Sequence, residues 1–144
     1  MKTGKTLPQM NAENRRSTGD SLTYRIIGVF FEVYNELGPG FLESVYESAL
    51  AIALEDSGLT FERQVRIPVW FRGRQIGDYR ADIVVDGRVL LELKSVLQLV
   101  PAHEGQVLNY LRATRLEIAL LLNFGPKPQF RRLAYSNARK PDPR

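Results

Sequence analysis

Asp82, Glu92 and Lys94 stand out for the chemistry that their types and spacing allow. They lie in the stretch Tyr79-Arg80-Ala81-Asp82-Ile83-Val84-Val85-Asp86-Gly87-Arg88-Val89-Leu90-Leu91-Glu92-Leu93-Lys94-Ser95. In an extended strand Glu92 and Lys94 share one face, while Leu91 and Leu93 take the other. A glutamate and a lysine side by side on an otherwise apolar strand are costly to bury unless something uses them. Asp82 sits on the preceding apolar run, across the turn signal Asp86-Gly87. Two carboxylates converging at a sheet can hold a divalent cation, and an adjacent ammonium can orient a water or offset developing negative charge. Those groups together suit hydrolysis of a phosphodiester. The competing reading is a salt-bridged ladder on an exposed sheet face.

The turn decides whether the carboxylates meet. A strict two-residue turn at Asp86-Gly87 pairs Val85 with Arg88 and leaves Asp82 opposite Leu91, on the wrong face. A three-residue loop, Val85-Asp86-Gly87, pairs Val84 with Arg88 and makes Asp82 the diagonal neighbour of Glu92. A shared cation therefore requires an odd loop or a bulge.

Two helical segments carry further candidates. Gly40-Phe41-Leu42-Glu43-Ser44-Val45-Tyr46 opens one, with Glu43 near the edge of its apolar stripe and within reach of the strand carboxylates. An acid in a first turn is also simply favoured by the helix dipole. In the other, Gln106 and Tyr110 are four apart and stand one above the other, with His103 three before Gln106.

The elements that must position these groups read as follows. Leu22, Ile26, Val29, Phe30, Val33 and Leu37 recur at helical spacing, and Gly38-Pro39-Gly40 ends that helix. A second helix shows Leu42, Val45, Tyr46, Ala49, Leu50 and Ala53 on one face and ends near Ser57-Gly58. Strands are expected over 61–71, 74–85 and 88–95, then a helix from Pro101 to about Arg115, a strand over 117–123 and an edge strand over 130–136. The order ααβββαβ(β) predicts an α/β or α+β domain, a mixed sheet flanked by helices. It spans 20–136, between a flexible basic arm (1–19) and a loose basic tail (137–144).

Composition narrows the chemistry. The chain has 144 residues, 44% hydrophobic and 25% charged, enough for one domain with a real core. It has no cysteine and one histidine, which excludes disulfides, thiolate zinc sites and multi-histidine metal sites. Any metal must sit on oxygen ligands, as suits Mg²⁺, Mn²⁺ or Ca²⁺. No serine lies in a nucleophile-elbow context, and Gly38-Pro39-Gly40 lacks the lysine of a phosphate-binding loop. The net charge of +4 is concentrated at the ends. Residues 1–19 hold four basic side chains against one acidic and 126–144 hold six against one, leaving ten against fourteen in between. Basic ends are compatible with a nucleic-acid partner. Trp70, Phe71 and Tyr79 read as core or sheet-face packing, base stacking being their other use. With no signal-peptide core near Met1 and no long apolar run, the expectation is a cytoplasmic protein with no membrane partner.

Taken together, these motifs resemble the PD-(D/E)xK nuclease superfamily, and within it the family named for its GxxExxY motif. Gly40, Glu43 and Tyr46 match GxxExxY, while Asp82, Glu92 and Lys94 match the nuclease core. Gln106 and Tyr110 match the QxxxY helix of the exonuclease-like branch. The likeness runs from about Leu22 to Ser136, and Ala81 stands where the motif has proline. It implies a restriction-endonuclease-like fold and a Mg²⁺ or Mn²⁺ cofactor held by Asp82, Glu92 and the carbonyl of Leu93, with Glu43 completing the shell. Lys94 would position the attacking water and stabilise the transition state, and Gln106 and Tyr110 would brace the site or touch phosphate. The implied substrate is nucleic acid, DNA first, and a homodimer stays open. A non-catalytic nucleic-acid-binding module and a protein-interaction module on the same fold are the alternatives. Three carboxylates together should raise at least one pKa by mutual repulsion.

Overall fold

The computed structural model describes residues 20–141. The arm over 1–19 and the last three residues of the tail lie outside them. Two helices come first, α1 (Asp20–Leu37) and α2 (Glu43–Asp56). A meander of β1 (Phe61–Phe71), β2 (Arg74–Val85) and β3 (Val89–Lys94) follows, then α3 (Pro101–Arg112), β4 (Ile118–Phe124) and β5 (Pro128–Ala134). The five strands form one sheet in chain order. The β3–β4 pair is parallel, bridged by α3, and every other pair is antiparallel. This is the expected mixed sheet flanked by helices. Among the described residues no helix is long and apolar enough to cross a membrane.

Strand alternation divides the core between the two faces. Leu91, Leu93, Leu120 and Leu122 meet Ile26, Phe30, Tyr46 and Leu50 of α1 and α2. Leu90, Ala119 and Leu121 meet Val107, Tyr110 and Leu111 of α3. Covered on both sides, β3 and β4 are nearly continuous apolar runs, as a parallel pair requires. Glu92 and Asn123 are the polar residues buried within these two strands.

Three expectations need correction. The buried face of α2 is Tyr46, Glu47, Leu50, Ala51 and Leu54, while Leu42 and Val45 are exposed. The helix is rotated toward β1 because Glu47 is fastened there, by Arg63 Nε at 2.9 Å and Gln64 Nε2 at 2.7 Å. Next, α3 stops at Arg112 rather than near Arg115. The chain beyond is held by Lys140, whose Nζ donates to the carbonyls of Thr114 (2.9 Å) and Leu116 (2.7 Å). Those bonds also correct the loose tail: Asn137–Arg139 form a short 3₁₀ turn, and the Asn137 N–H donates to Glu117 at 2.7 Å.

Candidate active site

The site begins where β2 and β3 part. Their ladder runs from Val85↔Val89 to Ile83↔Leu91. The loop is odd, as a shared site requires, but it comprises Asp86, Gly87 and Arg88, so its register differs from the expected one. Asp86 and Gly87 are both left-handed (φ 55° and 63°), and the Arg88 N–H closes on Val85 O at 2.9 Å before pairing starts at Val89. Continued, this register sets Asp82 level with Glu92 instead of diagonal to it. Beyond Ile83↔Leu91, the Leu93 N–H donates to Asp82 Oδ2 at 2.7 Å. A side chain has replaced the backbone partner. The β1–β2 register skips the same level, at Gln64, whose φ is 52°. The sheet is thus opened around the Asp82 carboxylate from both neighbouring strands.

Glu92 faces this opening. It is 7% exposed, and its Oε1 is buried without a hydrogen-bond partner among the described residues. Burial, then the charge of Asp82, pushes the Glu92 carboxyl up to about 8, against the pull of Lys94 and of the Asp82 N–H. Burial also raises Asp82, with Glu47 and Glu43 adding repulsion and the Leu93 N–H and Gln64 amide opposing it. The expected repulsion is present, but desolvation is the larger cause.

These shifts predict how stability responds to pH. The unfolded chain gives up the Glu92 proton near the ordinary 4.5, the folded chain only near 8. The stabilising contribution is therefore complete below the lower value and lost as pH rises through the upper one. Without divalent metal, the melting temperature is expected to decline between about pH 5 and about pH 8.5. Calorimetry on the wild type and Glu92→Gln should find that decline reduced in the variant.

Glu43 reaches the site from α2. Its Oε2 accepts the Ser95 N–H at 3.2 Å, and the Ser95 hydroxyl donates to Phe41 O at 2.9 Å. The segment 38–46 is thereby docked on the exit of β3. Gly40 (φ 112°) makes the bend, and the Tyr46 hydroxyl ties it by donating to Gly38 O at 2.5 Å and accepting from Phe41 N at 3.2 Å. The Tyr46 ring is fully buried and stacks on Phe124 at 4.2 Å. Gly40 and Tyr46 thus serve Glu43: one shapes and the other fixes the loop that delivers it.

On the opposite face α3 contributes Tyr110 and Gln106, joined by a 3.1 Å hydrogen bond from Gln106 Nε2 to the Tyr110 hydroxyl. Burial, followed by the charges of Glu92 and Asp82, raises the Tyr110 pKa, so its hydroxyl lies within the field of the carboxylates. Lys94 is half-buried beside Glu92, and no ion pair occupies it among the described residues. His103 is not drawn into the site: its Nδ1 accepts the Val100 N–H at 3.1 Å and caps α3.

Sequence reasoning missed three supporting residues. Glu47 lies one turn after Glu43, a spacing that could have flagged it. Gln64, which links Glu47 to Asp82, gives no signal on an edge strand. Asn123 is betrayed by being polar at the end of an apolar run. Its buried amide accepts from Val96 N and donates to Val96 O, both at 3.0 Å, fixing the chain just beyond Lys94. Asn123→Leu strands both backbone groups and is expected to destabilise the fold by about 2–4 kcal/mol, measurable by urea unfolding.

A family model described as the PD-(D/E)XK nuclease superfamily matches residues 20–133. The chain belongs to that superfamily. Its fold resembles a solved structure, that of SSO0001, with a TM-score of 0.52 and 17% identity over 85% of this chain. The chain spans 63% of the length of that structure. No curated protein matches significantly.

Membership in this superfamily raises the question of a metal. Among the described residues no three His, Asp or Glu side chains form a cation cage by themselves. The donor set nevertheless fits a hard cation. Asp82 and Glu92 supply carboxylate oxygens, one of them the orphaned Glu92 Oε1. Leu93 turns its N–H to Asp82, and in an extended strand its carbonyl points to the same side. All three are oxygen ligands of the kind Mg²⁺ and Mn²⁺ take.

Proposed function

We propose that the chain is a metal-dependent nuclease that hydrolyses phosphodiester bonds, with DNA as its substrate. The observation that supports this best is the buried, unpartnered Glu92 oxygen beside Asp82. Two adjacent carboxylates withdrawn from water destabilise a fold, and a cation between them offsets that cost. Asp82, Glu92 and the Leu93 carbonyl would hold Mg²⁺ or Mn²⁺, with Glu43 at the rim. When bound, the ion supplies Lewis acidity and a lowered pKa for water.

The remaining roles fall to the chain's own groups. Lys94 orients the attacking water and offsets charge growing on the phosphate. Glu92 must give up its proton to take the cation, so metal affinity is expected to weaken as pH falls. Tyr110, steadied by Gln106, is the hydroxyl available to a phosphate oxygen. The Gly40–Glu43–Tyr46 arrangement supports placing the chain in the GxxExxY branch.

The test is incubation of the purified protein with plasmid, single-stranded DNA and RNA, in Mn²⁺ or EDTA, beside Lys94→Ala. Cleavage of DNA in Mn²⁺ that disappears in EDTA and in the variant is expected. Binding in EDTA with no cleavage under any condition would make the protein a non-catalytic nucleic-acid module, and cleavage undiminished by Lys94→Ala would belong to a contaminant.

A further inference from the structure

A groove of about 610 Å³ opens between β1, β2 and the C-terminal end of α3. That volume lies in the ~300–1,000 Å³ range of sites that enclose small organic groups. Arg66, Arg112 and Arg115 are among the residues that line it, together with Trp70 and Tyr79. Among the described residues no ion pair engages Arg112 or Arg115, and Arg66 meets Asp78 only at 3.4 Å in an exposed pair. Cations without protein partners on an acidic body are available to an anion. Lys140, also at the groove, is committed to the Thr114 and Leu116 carbonyls, and the Tyr135 ring lies under Arg139 at 4.3 Å.

The two rings depart from the packing role expected of them. Trp70 is 45% exposed and Tyr79 41%. The β1–β2 register shifts between Val69 and Trp70, and both consecutive residues line the groove. Tyr79 also joins the groove to the catalytic residues, because its ring lies 5.1 Å from that of Tyr110.

We infer that this groove binds an unpaired nucleic-acid strand next to the phosphate being cut, stacking bases on Trp70 and Tyr79 and holding phosphates with Arg112, Arg115 and Arg66. Exposed rings at the rim of a basic channel suit unstacked bases, whose faces a duplex keeps covered. The inference rests on the nuclease reading for its orientation, while its test does not require cleavage.

Fluorescence anisotropy in EDTA would compare a labelled single-stranded dodecamer, its duplex and a mononucleotide. The single strand is expected to bind at least ~10-fold more tightly than the duplex, with a strong salt dependence. Trp70→Ala should weaken it about tenfold, as loss of one stacked base does. Arg112→Glu with Arg115→Glu should weaken it further and lower the salt slope by about two. All these positions are exposed, and unchanged melting temperatures would confirm that the variants fold. Equal or better duplex binding, affinity untouched by the variants, or a mononucleotide binding as well as the strand would each overturn the inference. If strand binding behaves as expected but nothing is cut in Mn²⁺, the nuclease reading alone is lost.

Discussion

Glu92→Gln is expected to abolish metal-dependent hydrolysis and, at the same time, to make the metal-free protein more stable. The two effects share one origin. Glu92 is buried, faces Asp82, and leaves Oε1 without a partner among the described residues. A glutamine keeps the shape, removes the charge, and offers an amide that can donate to the Asp82 carboxylate. Relief of even ~1 kcal/mol corresponds to about 4 °C in a domain of this size. The gain should appear in EDTA at pH 8 and shrink at pH 5, where the wild-type Glu92 already holds its proton. Activity should fall on the order of 10³-fold, the scale of losing a principal electrostatic stabiliser. A variant that is less stable at pH 8 would mean that Glu92 is held by groups other than a cation.

Lys94→Ala is expected to separate binding from chemistry. Activity should fall about 10²- to 10⁴-fold, the range for a lost electrostatic or proton-handling group. Lys94 is not among the proposed ligands, so stabilisation by Mg²⁺ should persist. Its ammonium also helps to hold Glu92 ionised. Without it the Glu92 carboxyl rises further, and the residual activity should need a higher pH. Thermal shifts with and without Mg²⁺, beside a pH–rate profile, check both points. Loss of the Mg²⁺ effect in this variant would give Lys94 a part in building the site and remove it from the attack on phosphate.

The architecture was legible in the sequence because it rests on local periodicity. The helical repeat from Leu22 to Leu37, the β-branched run after Gly58 and the apolar stretch 118–122 each specify their element without tertiary help. Alternation on β3 likewise placed Glu92 and Lys94 apart from Leu91 and Leu93. Long-range pairing was not legible. The Asp86–Arg88 loop differs from the expected one by a single residue's placement, and only the left-handed backbone at Asp86 and Gly87 sets where pairing resumes. The rotation of α2 depends on Glu47 meeting Arg63 and Gln64, partners on another element. Trp70 and Tyr79 alternate with apolar neighbours and so resemble core, whereas both are exposed.

The most direct measurement is a titration of Mn²⁺ followed by electron paramagnetic resonance, which reads the free ion without needing a substrate. The wild-type chain at pH 8 is expected to remove Mn²⁺ from the free signal with saturation, and Asp82→Asn with Glu92→Gln to remove none. An identical free-ion signal for the two proteins across the titration would contradict the assignment of Asp82 and Glu92 as the metal-holding pair.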